Sequence, residues 1–205
     1  MQYHEIGKTG MKVSSLSFGA SSLGGVFHDL KEKEGIQAVA TAIESGMNFI
    51  DVSPYYGHYK AETMLGKALK ELPRDRYYLS TKVGRYGKDG VNLWDYSAKR
   101  ATKSVYESME RLNIDFIDLI NVHDIEFADL NQVVNETLPA LVELREKGVV
   151  GHVGITDLQL ENLKWVIDHV PAGTVESVLS FCHYCLCDDL SLIHISEPTR
   201  LLSIS

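Results

Sequence analysis

The chain has 205 residues, of which 44% are hydrophobic and 23% charged, so it can bury a substantial core and falls within the size range of one soluble domain. Its formal net charge of −8, with no run of Lys or Arg, argues against binding to nucleic acid or to an anionic membrane. Neither a leader-like segment nor an apolar run of about 20 residues is evident, so we expect a cytoplasmic protein with a small-molecule partner.

Short apolar runs typical of buried parallel strands recur along the chain. In order they are SSLSFGAS, MNFIDVS, RYYLSTKVG, DFIDLINVH, VVGHVGIT and VESVLSFC. Helical patterns separate these runs. The clearest pattern is SAKRATKSVYESMERLN, where apolar residues recur every three or four positions and Ser97 is placed to cap the start. Pro139 lies inside the longest helical pattern and predicts either a kink or a fresh helix start.

Strands that alternate with helices predict a parallel sheet, either a doubly wound open sheet or a (β/α)8 barrel. Polar residues end four consecutive runs: Asp51, Lys82, His123 and the pair Thr156–Asp157. A barrel brings successive strand ends to one mouth, whereas an open sheet concentrates its ligands at one crevice. No Gly-x-Gly-x-x-Gly turn follows the first strand. We therefore predict an α/β fold, a (β/α)8 TIM barrel with about six of its eight strands present in residues 1–189.

The polar residues at these strand ends predict proton-transfer chemistry. Tyr56 follows Asp51 in the loop after the second run, and Lys82 ends the third. A phenol has an ordinary pKa of about 10, which a neighbouring ammonium lowers. Asp51 would hold Lys82 charged, and His123 could bind a carbonyl or hydroxyl oxygen. Taken singly, each residue also has a structural alternative, but together they suit a carbonyl/alcohol interconversion with hydride supplied by a cofactor.

The segments FIDVSPYYG, STKVG, DLINVHD and GHVGIT resemble, in this order, motifs of the aldo-keto reductase superfamily. The segments LSFGASSLGGVF, VGRYG, VNETLPAL and SFCHY are most similar to its L-galactose dehydrogenase branch. This resemblance implies a barrel that binds a nicotinamide cofactor without a Rossmann fold. It also implies that Asp51, Tyr56, Lys82 and His123 form the catalytic tetrad, with Tyr56 as the proton donor or acceptor.

The branch implies oxidation of a sugar such as L-galactose to its lactone with NAD, and NADP remains an alternative. The resemblance assigns cofactor contacts to Gly19, Ala20, Ser21, Thr156 and Asp157. Asp157 departs from the family pattern of Asn, because an ionised carboxylate only accepts hydrogen bonds. The usual cofactor glutamine is not evident in LSFCHY. A non-catalytic binding or regulatory subunit with the same barrel stays open, as does the oligomeric state.

Two further segments allow two interpretations each. Tyr86 and Trp94, in the loop RYGKDGVNLWDYS, could line the substrate pocket, or the segment could be a solvent-exposed loop with an aromatic anchor. Cys182, Cys185 and Cys187 lie in FCHYCLC, which suggests either a metal site or thiols buried in a strand. A strand would place these residues on two faces, and no second ligand cluster is evident, so we predict no metal site.

The segment from 190 to 205 differs in character from the rest of the chain. LSLIHISEPTR matches the translation of a transposon-end adapter used in DNA sequencing, and the final Ile204 and Ser205 match the adapter's continuation after a sample index at 201–203. We expect this segment to be a non-native tail, although Leu190 and Ser191 fit a native sequence equally well. A short native strand from LSLIHIS is the alternative, because its composition is strand-like.

Overall fold

A computed structural model describes residues 1–26, 30–88 and 91–183. The predicted tail lies outside these residues, so the boundary at 189/190 stays a prediction. Cys185 and Cys187 lie outside them as well. Within the described part of the chain, no helix is long and apolar enough to cross a membrane.

The described residues form one six-stranded parallel sheet that curls into a half-barrel. Its strands follow chain order: β1 (Phe18–Gly19), β2 (Phe49–Asp51), β3 (Tyr78–Val83), β4 (Ile117–Val122), β5 (Val150–Asp157) and β6 (Ser177–Ser180). In register, Gly19 pairs with Asp51, and Lys82 pairs with Asn121. Five of the six strands lie within the predicted apolar runs, and β5 extends one residue beyond its run, to Asp157. The expected parallel sheet is therefore confirmed.

Helices connect successive strands: α1 (Glu32–Glu44), α2 (Lys60–Leu69), α3 (Ala98–Leu112), α4 (Leu138–Glu146) and α5 (Leu160–Asp168). A short α-turn, Leu130–Gln132, and a π-helical turn, Val133–Thr137, precede α4. Single 3-10 turns cover Ala20–Gly24, Arg74–Arg76 and Ile125–Phe127. Two antiparallel hairpins lie outside the barrel sheet. One joins Tyr3–Glu5 to Lys12–Ser14, and the other joins Arg85–Lys88 to Val91–Trp94.

Local sequence explains where two of these helices begin. The Ser97 hydroxyl accepts a hydrogen bond from the Arg100 amide at 3.3 Å, so the predicted cap of α3 is present. Pro139 lies in the first turn of α4, directly after the π-helical turn. Because proline has no amide hydrogen, regular α-helical bonding cannot pass through this position, and α geometry starts afresh at Leu138.

The helices cover one face of the sheet and leave the other for polar side chains. Thr81 donates to Glu62 of α2 at 2.7 Å, so this face of β3 points toward the helices. Ser80 and Lys82, one residue to either side, point to the opposite face, toward the barrel interior. The apolar core packs between strands and helices around residues such as Ile50, Leu79, Ile120, Leu141 and Val153.

The sixth strand is shorter than the sequence predicts. β6 ends at Ser180, and Cys182 is exposed in a bend with a φ of 64°. The prediction that Cys182 is a buried thiol within the strand is therefore wrong, because the backbone leaves the sheet before reaching it. No group of three or more His, Cys, Asp or Glu in the described ranges could hold a metal ion.

Candidate active site

A buried ion pair lies at the carboxyl ends of β2 and β3. Lys82 Nζ is 2.5 Å from Asp51 Oδ2 and donates to the Val52 carbonyl at 2.9 Å. Burial lowers the pKa of Lys82, but the charge of Asp51 and the neighbouring Tyr56 raise it more, so the net pKa is raised. The Lys82 side chain, only 2% exposed, therefore stays an ammonium in the barrel mouth.

Further polar side chains on the interior face orient Asp51. Ser80 donates to Asp51 Oδ1 at 3.0 Å, and Asn121 Nδ2 donates to the Ser80 hydroxyl at 3.0 Å. Ser80 and Asn121 are not among the predicted site residues. They could have been found by strand alternation, since Ser80 shares a face with Lys82, and Asn121 shares one with His123.

Tyr56 lies beside the ion pair, in the loop after β2. The Lys82 ammonium is 4.9 Å from the centroid of the Tyr56 ring. Burial raises the pKa of Tyr56, Lys82 lowers it and Asp51 raises it, and the net result is a raised pKa. Lys82 therefore lowers the pKa of Tyr56 as expected, but desolvation of the phenolate outweighs this effect and the net pKa is raised.

His123 completes the cluster from the end of β4. Its ring centroid is 5.8 Å from that of Tyr56, with the two rings nearly perpendicular. The Ser53 hydroxyl lies 3.0 Å from Nδ1. Burial, together with the charges of Lys82 and Arg85, holds the pKa of His123 well below its usual value. The imidazole is therefore neutral at physiological pH and can donate one hydrogen bond and accept another.

The backbone after β4 is fixed in an unusual conformation. Asp124 has a left-handed φ of 46°. The buried Tyr96 hydroxyl lies 2.8 Å from the carbonyl oxygens of both His123 and Asp124, which hold it as a shared donor. Neither Tyr96 nor Asp124 is among the predicted site residues, although Asp124 directly follows His123.

The loop that carries Tyr56 packs backbone to backbone against the turn after β1. Gly57 has a φ of 60°, and a Cβ added there would lie 2.1 Å from the Gly24 carbonyl oxygen. A Cβ added at Gly24 would lie 2.7 Å from the Tyr56 carbonyl oxygen. Only glycine permits this approach, so these two glycines help to fix the position of Tyr56.

The residues expected to contact a cofactor lie at two places around the same mouth. Gly19 ends β1 beside Asp51, and an added Cβ there would meet no atom within 4 Å. Ala20 and Ser21 follow in the 3-10 turn. At the end of β5, the Thr156 hydroxyl accepts a hydrogen bond from the Asp124 amide at 3.0 Å. The open space at Gly19 and the hydroxyl at Thr156 are compatible with a bound nicotinamide.

The Asp157 carboxyl lies in surroundings that raise its pKa. It accepts from the Gln159 amide at 2.8 Å and from Asn162 Nδ2 at 3.0 Å. Burial and the neighbouring Glu126 raise the pKa of Asp157 to about 7. A neutral carboxyl can donate a hydrogen bond, so near neutral pH Asp157 partly recovers the donor that an asparagine would provide.

The hairpin after β3 places Arg85 and Trp94 in contact with aromatic rings of two other loops. The Arg85 guanidinium lies 3.7 Å from the Tyr55 ring centroid and 2.5 Å from Asp124 Oδ2. Trp94, 42% exposed, contacts Phe127 with a centroid distance of 5.3 Å. Tyr86 is only 2% exposed and its hydroxyl accepts from the Gly84 amide, so of the two interpretations Tyr86 fits the buried aromatic anchor and does not line an open pocket.

The fold and the cluster define a class of protein: a (β/α)8-type barrel with an Asp, Tyr, Lys and His set at the carboxyl ends of its strands. Residues 15–194 match the model of the Aldo/keto reductase family, and the chain belongs to that family. This match overlaps the first residues of the predicted tail, whose origin stays a prediction.

Individual relatives agree with this assignment. The chain is 47% identical over 194 residues to the L-galactose dehydrogenase of Arabidopsis thaliana, which covers 94% of this chain and 60% of that protein. It is 34% identical over 181 residues to the D-arabinose 1-dehydrogenase of Saccharomyces cerevisiae, covering 83% and 52% of the two. A holo-form aldo-keto reductase from Bacillus halodurans superposes with a TM-score of 0.76 at 29% identity, over 88% and 57% of the two chains. The chain therefore spans 52–60% of the length of these two curated relatives.

Proposed function

We propose that this chain is the N-terminal part of a sugar 1-dehydrogenase. The reaction is oxidation of the anomeric carbon of an aldose, such as L-galactose, to the lactone, with NAD as cofactor and NADP as the alternative. The observation that carries this proposal is the juxtaposition of Tyr56, the Asp51–Lys82 ion pair and a neutral His123 at one barrel mouth. The similarity to L-galactose and D-arabinose dehydrogenases supports the choice of substrate class.

In the oxidative direction Tyr56 acts as the base. Its phenolate takes the proton of the anomeric hydroxyl, while the hydrogen on the anomeric carbon departs as hydride and the C–O bond becomes a lactone carbonyl. A bound nicotinamide supplies the hydride acceptor. His123 donates a hydrogen bond to the reacting oxygen and orients the sugar.

Lys82 stabilises the phenolate form of Tyr56. Burial and Asp51 raise the pKa of Tyr56, and Lys82 lowers it through charge and hydrogen bonding. Because oxidation requires the deprotonated phenol, activity in this direction should increase with pH. Asp51 contributes indirectly, since it keeps Lys82 charged and in place.

Thr156, Asp157 and the segment Gly19–Ser21 would hold the cofactor. Thr156 provides a hydroxyl and Asp157 a carboxyl that is partly protonated near neutral pH, and both suit the carboxamide of a nicotinamide. Gly19 leaves space at the end of β1, next to Asp51.

The test uses the complete gene product, obtained by amplifying the uninterrupted parent gene across the codon for Asp189. Reduction of NAD and of NADP is followed with a panel of aldoses. Tyr56→Phe should lower turnover by roughly a hundred- to ten-thousandfold, as expected for loss of an acid–base group. Tyr106→Phe, which removes a hydroxyl from a half-exposed tyrosine on α3, is the matched control and should retain full activity.

Two outcomes would contradict the proposal. Equal turnover by the Tyr56→Phe variant and the parent would remove Tyr56 from the mechanism. Absence of turnover with every sugar and both cofactors, in a protein that folds and binds nicotinamide, would favour the alternative of a non-catalytic regulatory subunit.

A further inference from the structure

We infer that Ser53 is a positioning residue that fixes the tautomer of His123, so that Nε2 carries the proton toward the substrate. This inference rests on the proposed function for its catalytic consequence, but the tautomer itself can be measured separately. Ser53 lies between Asp51 and Tyr56 in the chain and is fully buried, and it is not among the predicted tetrad or cofactor residues.

Ser53 is held in place by two contacts. Its hydroxyl oxygen accepts the amide hydrogen of Tyr55 at 3.1 Å and lies 3.0 Å from His123 Nδ1. These contacts connect the loop after β2 to the end of β4. The His123 backbone is fixed as well, since its amide donates to the Val83 carbonyl at 2.8 Å.

The direction of the Ser53–His123 hydrogen bond follows from a count of donors. Since the Ser53 oxygen already accepts from Tyr55, its own hydrogen remains to be donated, and Nδ1 is the acceptor within reach. The reverse arrangement would give this buried oxygen two donors and leave its hydrogen without a described acceptor. An unmade hydrogen bond of a buried group is costly, so Nδ1 is the unprotonated nitrogen.

The other ring nitrogen supports the same assignment independently. Asp124 Oδ2 lies 3.4 Å from His123 Nε2. A carboxylate oxygen repels a nitrogen lone pair and attracts an N–H, so Nε2 is the protonated nitrogen. Because the His123 imidazole is neutral, its single proton cannot occupy both positions, and the two contacts together select the Nε2–H tautomer.

The consequence for catalysis concerns the reacting oxygen of the sugar. The Nε2–H tautomer presents a donor to that oxygen, which stabilises the negative charge that develops there as the proton leaves. The other tautomer would present a lone pair and repel it. Ser53 therefore acts through His123 without touching the substrate.

The test is nuclear magnetic resonance of the complete gene product labelled with 15N-histidine. The His123 signals are identified by their loss in His123→Asn. In the parent protein we expect a protonated Nε2 and an unprotonated Nδ1. Ser53→Ala should produce a measurable Nδ1–H population, and Ser53→Thr, which retains the hydroxyl, should restore the parent tautomer. Ser108→Ala removes another fully buried serine hydroxyl, on α3, and should leave the His123 signals unchanged.

Kinetics give the second readout. Ser53→Ala should lower kcat by roughly two- to tenfold, the range set by one net hydrogen bond, with the KM for the cofactor unchanged. An Nδ1–H tautomer in the parent protein, or identical tautomer ratios in Ser53→Ala and Ser108→Ala, would overturn the inference. If the complete protein oxidises no sugar, the proposed function fails while the resonance measurement still decides the role of Ser53.

Discussion

The stability of an Asp157→Asn variant, relative to that of the parent protein, should increase with pH. The folded chain holds the Asp157 pKa at about 7, whereas the ordinary value is 3.8. The stability contributed by this protonated carboxyl is complete below the ordinary pKa and is lost as pH rises through about 7. An asparagine stays neutral throughout, so the variant avoids that loss.

The size of the effect follows from the pKa. A difference of about 3 in pKa between folded and unfolded chains corresponds to an upper limit of about 4 kcal/mol. The neighbouring Glu126 is half-buried, so solvent screening weakens its interaction with Asp157 and the free-energy difference is smaller than this upper limit. We expect about 1–2 kcal/mol of added stability near pH 8 relative to pH 5.

The assay is urea unfolding of the complete gene product, followed by tryptophan fluorescence at several pH values between about 5 and 8. Asp115→Asn, which removes an exposed carboxylate, controls for the change in net charge. A stability difference between Asp157→Asn and the parent that does not vary with pH would show that Asp157 titrates normally, and the argument for its protonation would fail.

Three further predictions concern the site and the fold. Lys82→Met should shift the remaining oxidation activity to higher pH, because the Tyr56 pKa loses its main lowering influence, and an unchanged pH profile would contradict this role. Gly57→Ala should lower kcat/KM by roughly a hundredfold by displacing the loop, whereas Gly148→Ala, with a similar φ of 70° but no atom within 4 Å, should affect only stability. The 205-residue chain should aggregate on size-exclusion chromatography and show no dehydrogenase activity, since among the described residues β1 and β6 each pair on one side only; a stable, active monomer would refute this.

The sequence predicts the strands well because, in a chain that alternates strands and helices, a short apolar run between polar residues can adopt few structures other than a buried strand. Asp51, Lys82 and His123 are conspicuous because each is a polar residue at or near the end of such a run, whereas Tyr56 lies in the loop five residues after Asp51. The start of α4 does not follow from the sequence, since a proline alone does not distinguish a kink from the new helix start that follows the π-helical turn at Val133–Thr137.

Other features depend on contacts between distant parts of the chain. The net pKa of Tyr56 results from a balance between burial and the opposite charges of Lys82 and Asp51, and residue types do not give the extent of burial. The burial of Tyr86 depends on how the hairpin after β3 folds back, with the Arg100 guanidinium 4.0 Å from its ring. Ser53 is one small residue among several, and only its distance to His123 distinguishes it.

The hydrogen bond between the Asp124 amide and the Thr156 hydroxyl has a consequence for how two ligands affect each other's binding. Thr156 lies where the cofactor is proposed to bind, and Asp124 contacts His123, which is proposed to orient the sugar. If cofactor binding shifts Thr156, it also shifts Asp124. The affinity of the protein for the sugar then differs between the cofactor-free and the cofactor-bound states. Such coupling is reciprocal, and the sugar must change the affinity for the cofactor by the same factor. Titration calorimetry of each ligand, with and without the other, should therefore give matching ratios of Kd, and Thr156→Val should bring both ratios toward one.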